Sequence, residues 1–344
     1  MQEQGLDAFL VTSLPNVRYL SGFSGSNGIC VITASEAYFL TDIRYALQSK
    51  EDVRGFRRLV TMVGLFETAS RRRLLSGCRK VGFESHHVSH AHYRTIRKLF
   101  PRISWKPVSE LVEGLALVKD REEIACIAKA AGISDRVFKD IVSVIRPGVR
   151  ENEIAAKISF LHKSYGAERD AFEPIVASGE RGAIPHAGAG PRKIRKGDLV
   201  TLDFGCTVSG YASDLTRTIA VGTLSGKGRE IYRVVLRAQE EAIEAARAGL
   251  LAKDLDAVAR RSISSAGFGR YFSHSLGHGL GLRVHERPRI SSLSKERLVS
   301  GSVITIEPGV YIPGFGGVRI EDDIVLRNNG CRVLTAAPKE LMIV

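Results

Sequence analysis

Residues 197–205 read GDLVTLDFG, and residues 301–309 read GSVITIEPG. Each stretch begins with glycine, continues as an apolar run that predicts a β-strand, and carries an acid at the same place. Asp203 therefore corresponds to Glu307. A carboxylate in a strand with this apolar character is costly unless it is paired or bound to a cation. The two stretches therefore predict related strands whose acids have a function.

A second pair of segments follows at a similar distance. GYASD at 210–214 corresponds to GVRIE at 317–321, which aligns Asp214 with Glu321. Chance similarity between strands would explain the apolar runs, but it does not easily explain why both acids of each segment correspond. We therefore predict two related β-hairpins, each carrying two carboxylates.

The repeat extends upstream of the hairpins. RPGVRENEI at 146–154 resembles RAGLLAKDL at 247–255, with the same spacing of arginine, glycine and acid. A long helix is also predicted from about Asp120 to Ile145, and Pro147 follows it. Each half of this region therefore reads as a helix, a second helix and an acidic hairpin.

The N-terminal part of the chain has a different pattern. Four short runs, DAFLVT, ICVIT, AYFLTD and KVGFE, predict β-strands, and stretches such as IRYALQSKEDV predict helices between them. This alternation stops near Leu111. We therefore predict two domains, a small α/β domain at 1–115 and a pseudo-symmetric α+β domain at 116–344.

Composition excludes several classes of protein. The net charge is +13, but the basic residues are spread along the chain, and RRR at 71–73 has neither aromatic neighbours nor a nucleic-acid motif. We therefore expect a solvated basic surface and no nucleic-acid partner. No apolar run approaches the roughly 18 residues of a membrane span. Five scattered cysteines without a C-x-x-C pair are typical of reduced thiols in the cytoplasm.

The four acids predict a metal site. Four carboxylates brought together by pseudo-twofold symmetry would repel one another unless cations lay between them. Two divalent ions would balance their charge, and His278 would add one neutral nitrogen. An oxygen-rich set with a single nitrogen favours Mn²⁺, Co²⁺ or Fe²⁺ over a structural zinc ion. Such a pair of ions lowers the pKa of bound water, so the pattern predicts a metal-dependent hydrolase.

The stretch HSLGHGLGLRVHE at 274–286 does not form a helical zinc motif. In H-E-x-x-H both histidines lie on one helical face, whereas glycines separate His278 from His285. We expect these glycines to keep the approach to the metal cluster open. We expect His274 and His285 to face the substrate.

Several of these segments together resemble one family. HSLGHGLGLRVHE, LDFG, YASDLTRT, IEPGVY and VRIEDD are similar to the metal-site segments of the pita-bread metallopeptidases, the Xaa-Pro aminopeptidases and prolidases. NVRYLSGFSGSNG and FLTDIRY resemble the creatinase-type N-terminal domain of that family. The resemblance covers essentially the whole chain. It implies a creatinase-like α/β domain followed by a pita-bread catalytic domain. Family members usually carry a further segment before EQGLDA that completes the first helix, so we expect either a native start upstream of Met1 or a trimmed N-terminal domain.

The resemblance assigns the metal ligands by position. Two divalent ions would be bound by one histidine and four acids, namely Asp203, Asp214, His278, Glu307 and Glu321. Mn²⁺ is the expected ion, with Co²⁺, Fe²⁺ or Zn²⁺ as alternatives. Glu307 would also carry a proton from the attacking water to the leaving nitrogen.

The resemblance also assigns residues around the substrate. His186, in IPHAG, would contact the leaving group, and His285 would support the carbonyl oxygen as it becomes an oxyanion. Arg319 would steer the substrate or a metal-bound carboxylate. His274 and Tyr311 would form the wall around the proline ring.

The activity implied by the resemblance is that of an Xaa-Pro aminopeptidase acting on peptides with a free N-terminus. The form of NVRYLSGFSGSNG and FLTDIRY favours this version over the alternative, an Xaa-Pro dipeptidase or prolidase. A methionine aminopeptidase and a non-catalytic pita-bread peptide-binding module are further alternatives. The family also implies a homodimer or a larger homo-oligomer, without a membrane partner.

Overall fold

A computed structural model describes residues 1–344 of the protein, except for the side chain of Gln2. The chain packs into two compact units, Met1–Ala116 and Leu117–Val344. The predicted domain boundary lies one residue earlier. Within the described part of the chain, no helix is long and apolar enough to cross a membrane.

One mixed sheet forms the centre of the N-terminal unit. Its strands are β1 (Ala8–Val11), β2 (Gly28–Thr33), β3 (Ala37–Asp42), β4 (Arg57–Thr61), β5 (Lys80–Glu84) and β6 (Ser104–Val108). Their order is β4-β3-β2-β1-β5-β6, in which β2 pairs antiparallel with β1 and β3, and the other pairs are parallel. The four runs that predicted strands correspond to β1, β2, β3 and β5.

Short helices connect these strands. They are α1 (Leu14–Ser21), α2 (Gln48–Asp52), α3 (Leu65–Arg71), α4 (His90–Leu99) and α5 (Leu111–Ala116), with 3₁₀ turns at Gln2–Gln4 and Ile43–Tyr45. The prediction of a helix throughout IRYALQSKEDV is therefore wrong. The Asp42 carboxylate accepts the Arg44 backbone N–H at 2.9 Å and caps a tight turn, so the α-helix begins only at Gln48.

The C-terminal unit begins with two helices, α6 (Arg121–Val142) and α7 (Glu151–Ser164). The strands that follow are β7 (Arg169–Asp170), β8 (Ile175–Ser178), β9 (Leu199–Phe204), β10 (Cys206–Val208), β11 (Tyr211–Ala212) and β12 (Leu215–Ala220), with a 3₁₀ turn at Gly179–Ala183. Helix α6 ends three residues before the predicted Ile145. The Ser143 hydroxyl donates to the Asp140 carbonyl at 2.7 Å and competes with continued helix there.

The second half of this unit repeats the arrangement. Two helices, α8 (Gly226–Ala245) and α9 (Ala252–Ser265), come first, and a 3₁₀ turn follows at Gly269–Tyr271. The strands are β13 (Gly277–Gly279), β14 (Glu286–Ile290), β15 (Val303–Ile306), β16 (Gly309–Ile312), β17 (Gly316–Arg319), β18 (Asp322–Arg327) and β19 (Gly330–Val333). Strands β14, β13, β15, β18 and β19 form one sheet in that order.

Each pair of helices packs against its own strands. Ile141 of α6 and Phe204 of β9 belong to one apolar core, and Val235 of α8 and Ile304 of β15 belong to another. Strand β9 pairs antiparallel with β12, and β15 pairs antiparallel with β18. The predicted two-domain architecture, with an internal repeat in the second domain, is confirmed.

Candidate active site

The two repeated strand pairs carry the four predicted acids at equivalent places. Asp203 lies near the end of β9, and Asp214 directly precedes β12. Glu307 directly follows β15, and Glu321 directly precedes β18. All four side chains line a single cavity of about 580 Å³. The repeat therefore brings two acids from each half to one site.

Three of these carboxylates each have one buried oxygen atom that lacks a hydrogen-bond partner within the described part of the chain. Asp203 Oδ1, Asp214 Oδ1 and Glu321 Oε1 accept no hydrogen bond from any residue that the structure describes. Burial, and then the charge of Glu321, raises the pKa of Asp214 well above its usual range. Burial, and then the charge of Glu307, does the same to the pKa of Glu321. The cluster therefore needs positive charge between its carboxylates.

His278, on β13, adds a nitrogen atom to this cluster. Its Nδ1 lies 3.1 Å from the Gly279 carbonyl oxygen, which orients the ring and directs Nε2 towards the acids. Nε2 lies 3.3 Å from Glu307 Oε1 and 3.8 Å from Asp214 Oδ2. Ligand atoms of Asp214, His278 and Glu321 all lie within 4.8 Å of one another. Unpartnered carboxylate oxygens around one imidazole fit a hard or borderline divalent cation.

The glycines beside His278 allow close packing of strands. A Cβ atom at Gly277 would lie 2.1 Å from the Thr305 carbonyl oxygen, and one at Gly279 would lie 2.0 Å from the Arg287 carbonyl oxygen. These atoms belong to the strands on either side of β13. The expectation that the glycines keep the approach to the cluster open is therefore wrong, because they are needed for β13 to fit between its neighbours.

Arg319, on β17, is buried against the cluster with only 3% of its surface exposed. Its Nη2 donates to Asp203 Oδ2 at 2.5 Å, its Nη1 to the Tyr311 hydroxyl at 2.8 Å, and its Nε to Thr216 Oγ1 at 3.1 Å. The guanidinium is thus bound to acceptors of the protein itself. The carboxylate that Arg319 binds is therefore Asp203 of the cluster, within the protein.

Tyr311 and His274 continue this hydrogen-bonded chain along one wall of the cavity. His274 Nδ1 donates to the Ser275 carbonyl at 2.8 Å, so Nε2 accepts from the Tyr311 hydroxyl, also at 2.8 Å. Burial raises the pKa of Tyr311 to about 12 and lowers the pKa of His274. Both groups are therefore neutral near pH 7. The hydrogen bonds then all run one way, because Arg319 donates to Tyr311 and Tyr311 donates to His274.

His285 and His186 lie at the more exposed side of the cavity. The ring centroid of His285 is 4.2 Å from that of His278. Burial, and then the charge of His278, lowers the pKa of His285, so its neutral ring offers one N–H donor near pH 7. His186 follows the 3₁₀ turn Gly179–Ala183 and is exposed. All ten site residues predicted from the sequence line this cavity.

Sequence analysis missed Arg289, another cation that lines the cavity. Because β13 and β14 pair antiparallel with His278 directly opposite Arg289, the two side chains project from the same face. Arg289 is exposed and forms no ion pair with any described residue. Residues 285, 287 and 289 alternate along the strand, so the sequence could have suggested that Arg289 faces the cavity together with His285. The same alternation would have placed Arg287 there as well. A bulge beside His278 shifts the register, and Arg287 pairs instead with Glu296 at 2.9 Å.

Two polar residues that hold the carboxylates were also missed. Thr216 Oγ1 donates to Glu321 Oε2 at 2.5 Å, and Asp323 Oδ2 accepts the backbone N–H of Asp214 at 3.0 Å. The bonded residues are 105 and 109 positions apart. No local pattern in the sequence signals contacts across such separations.

Family models match both units of the chain. The model of the creatinase/prolidase N-terminal domain matches residues 1–118, and the model of metallopeptidase family M24 matches residues 125–328. The chain belongs to metallopeptidase family M24. This confirms the resemblance to the pita-bread metallopeptidases and identifies the protein as a peptidase, with divalent metal ions implied by the family.

Individual relatives are similar over nearly the whole chain. An uncharacterized peptidase of Bacillus subtilis (strain 168) is 44% identical over 339 residues, which cover 98% of this chain and 96% of that protein. The structure of an Xaa-Pro dipeptidase from Bacillus anthracis has a TM-score of 0.97 and 41% identity, covering 100% of this chain and 96% of that one. The structure of an X-Pro aminopeptidase from Thermotoga maritima MSB8 has a TM-score of 0.93 and 38% identity, covering 99% and 98%.

Proposed function

We propose that this M24 peptidase cleaves the bond before proline in substrates with a free N-terminus, and that it prefers Xaa-Pro dipeptides. The observation that carries the dipeptide preference is Arg289, a cation without an ion pair among the described residues, directly opposite His278 in the cavity wall. Relatives named Xaa-Pro dipeptidase and X-Pro aminopeptidase support the Xaa-Pro class. The aminopeptidase activity expected from the sequence is the second candidate, favoured by the form of NVRYLSGFSGSNG and FLTDIRY.

Two divalent ions would be held by the acids and the histidine of the cluster, Asp203, Asp214, His278, Glu307 and Glu321. Three of the acids contribute buried oxygens that have no hydrogen-bond partner in the described chain. When bound, such ions lower the pKa of the attacking water and polarise the scissile carbonyl. We propose Mn²⁺, with Co²⁺, Fe²⁺ and Zn²⁺ as the alternatives that elemental analysis distinguishes.

The side chains of the cavity perform the remaining chemistry. Glu307, whose side chain is 17% exposed, accepts the proton of the attacking water and delivers it to the proline nitrogen, which has no hydrogen of its own. The neutral ring of His285 donates its N–H to the carbonyl oxygen as negative charge develops there. His186 contacts the leaving proline.

Of the two arginines in the cavity wall, only Arg289 is free to bind a carboxylate of the substrate. Four of the five N–H donors of Arg319 are already used, on Thr216, Tyr311, the Pro185 carbonyl and Asp203, so a two-pronged contact with a substrate carboxylate would require breaking one of these bonds. The planar guanidinium of Arg289 matches a carboxylate in a two-pronged geometry. In Xaa-Pro this carboxylate belongs to proline itself, whereas in a longer peptide the same position is an uncharged amide. Dipeptides are therefore the favoured substrates.

A comparison of four substrates tests this proposal with the purified protein and Mn²⁺. We expect kcat/KM to be highest for Met-Pro and lower for Met-Pro-NH₂ and Met-Pro-Ala. Faster hydrolysis of Met-Pro-Ala would favour the aminopeptidase, and a preference for Met-Ala-Ala would reject proline specificity. Peptide binding without hydrolysis of any substrate would identify a binding module.

We also propose that the enzyme forms a homodimer or a larger homo-oligomer, as the family resemblance implies. Sedimentation at micromolar concentration would contradict this by giving a 37.6 kDa monomer. All five cysteines are free thiols, which fits the reducing cytoplasm that we propose as its compartment.

A further inference from the structure

Glu151, the first residue of α7, is a fully buried acid that does not line the active-site cavity. Its carboxylate nevertheless accepts four hydrogen bonds. Oε1 accepts the backbone N–H of Ser178 at 2.8 Å and the hydroxyl of the same residue at 2.7 Å. Oε2 accepts Nε–H of Arg181 at 2.9 Å and the backbone N–H of Gly190 at 3.2 Å. All four donors belong to one segment, residues 178–190.

This segment, which we name the His186 loop (residues 178–190), brings Pro185 and His186 to the cavity. Glu151 bonds to both ends of the loop and to Arg181 within it. Arg181 also donates to the Gly188 carbonyl at 2.5 Å, on the other side of His186. Because the His186 ring itself is exposed, the backbone of the loop determines where the ring lies.

The far side of the His186 loop contacts β17, including Arg319, which bonds to Asp203 of the cluster. The Pro185 carbonyl accepts Nη1–H of Arg319 at 3.3 Å. Gly182 packs so closely against β17 that a Cβ atom at Gly317 would lie 2.1 Å from its carbonyl oxygen. The loop is therefore held between Glu151 on one side and β17 with Arg319 on the other.

We propose that Glu151 is a positioning residue, which fixes the His186 loop and thereby orients His186 towards the leaving proline. A buried carboxylate is costly unless its oxygens are fully hydrogen-bonded. Here every donor comes from the loop, so this cost is offset only when the loop has its observed shape. An acid that served α7 alone would instead accept the free N–H groups of its own first turn. The orientation of His186 matters for catalysis only under the proposed function, whereas the holding of the loop does not depend on it.

Glu151→Gln tests the holding of the loop without any activity measurement. Glutamine keeps the size of the side chain but sets an NH₂ group against the donors that face one carboxylate oxygen. We expect amide hydrogen exchange in residues 178–190 to accelerate by about tenfold or more, while exchange in β9, β12, β15 and β18 stays unchanged. The proposal would be overturned if amide exchange of the loop in Glu151→Gln kept the wild-type rate, or if exchange accelerated equally throughout Leu117–Val344.

Glu153→Gln is the matched control. Glu153 lies in the same helical turn, but its side chain is 58% exposed and contacts Arg150 instead of the loop. Its replacement removes the same charge near the same helix N-terminus. We expect exchange of the His186 loop to remain at the wild-type rate, and acceleration equal to that of Glu151→Gln would attribute the effect to helix charge alone.

A double-mutant cycle tests whether Glu151 acts through His186. We expect Glu151→Gln to lower kcat for Met-Pro by about tenfold in the wild-type background, and by less than about twofold in the His186→Ala background. Losses that multiply in the double variant would overturn the orienting role. Wild-type kcat in His186→Ala would also overturn it, while hydrolysis of Met-Pro by the unmodified enzyme would still support the proposed function.

Discussion

Replacing Arg289 with methionine tests whether this residue binds the carboxylate of the substrate. Methionine keeps an unbranched apolar stem of similar length and removes the guanidinium. A hydrogen bond to a charged group contributes about 1.5–3 kcal/mol. Arg289 is exposed, so solvent screens its charge, and the lower part of this range, about 1.5–2 kcal/mol, applies. This corresponds to a loss of about 10- to 30-fold in kcat/KM for Met-Pro.

The assay compares Met-Pro with Met-Pro-NH₂, which lacks the carboxylate but is otherwise the same size. In the wild type we expect the dipeptide to be the better substrate, and in Arg289→Met we expect the two values of kcat/KM to become nearly equal. Arg287→Met is the control, because Arg287 lies on the same strand but pairs with Glu296 and does not line the cavity.

The pattern of losses decides the outcome. A loss for the dipeptide alone supports contact between Arg289 and the proline carboxylate. Equal losses for the dipeptide and its amide would refute the reasoning, because the guanidinium would then act on something common to both substrates. Unchanged hydrolysis of Met-Pro would refute it as well, and would leave the dipeptide preference without its structural basis.

Three further predictions concern the ligands, the oxyanion and stability. Asp203→Ala or Glu307→Ala should lower the bound metal measured by elemental analysis and reduce activity by orders of magnitude with unchanged circular dichroism; retained turnover would place the site elsewhere. His285→Ala should lower kcat more than it raises KM, by about 2.7–4 kcal/mol in the barrier; a change confined to KM would leave His285 as a ground-state contact. Burial lowers the pKa of His162 below its ordinary 6.5, against the opposing effect of Asp170, so the unfolded chain binds this proton more tightly than the folded protein. The contribution of His162 to the free energy of unfolding should therefore be complete above about pH 6.5. It should fall by up to about 1.4 kcal/mol per pH unit as the pH drops from about 6.5 to the lower pKa of the folded protein. His162→Gln should flatten this dependence in urea titrations, and an identical pH dependence in the variant would contradict the prediction.

The sequence could predict the acids of the site because the repeat encodes them locally. Asp203 and Glu307 interrupt apolar strands at equivalent positions, and one short hairpin separates each from its partner, Asp214 or Glu321. The period of a strand and the cost of a buried charge were enough to mark these positions. Helix α6, with its capping residue Asp120, was predictable for the same local reason, although its end was not.

Features that depend on how strands meet could not be predicted in this way. The bulge beside His278 decides that Arg289, and not Arg287, faces the cavity. The glycines beside His278 are explained by carbonyl oxygens of two neighbouring strands, which the sequence does not bring together until the sheet forms. In the N-terminal unit, a single side-chain cap from Asp42 turns a predicted helix into a 3₁₀ turn.

The contacts between the halves explain why neither half could build the site alone. Asp203 and Asp214 belong to the first half, yet Arg319 and Asp323 of the second half bond to them. Glu321 belongs to the second half, and Thr216 of the first half donates to it. The repeat itself does not encode this exchange, because the position corresponding to Arg319 in GYASD is Ala212. Only the second half supplies a guanidinium that bonds to a carboxylate of the cluster, so the acids are symmetric while their support is not, and the two sides of the cavity differ.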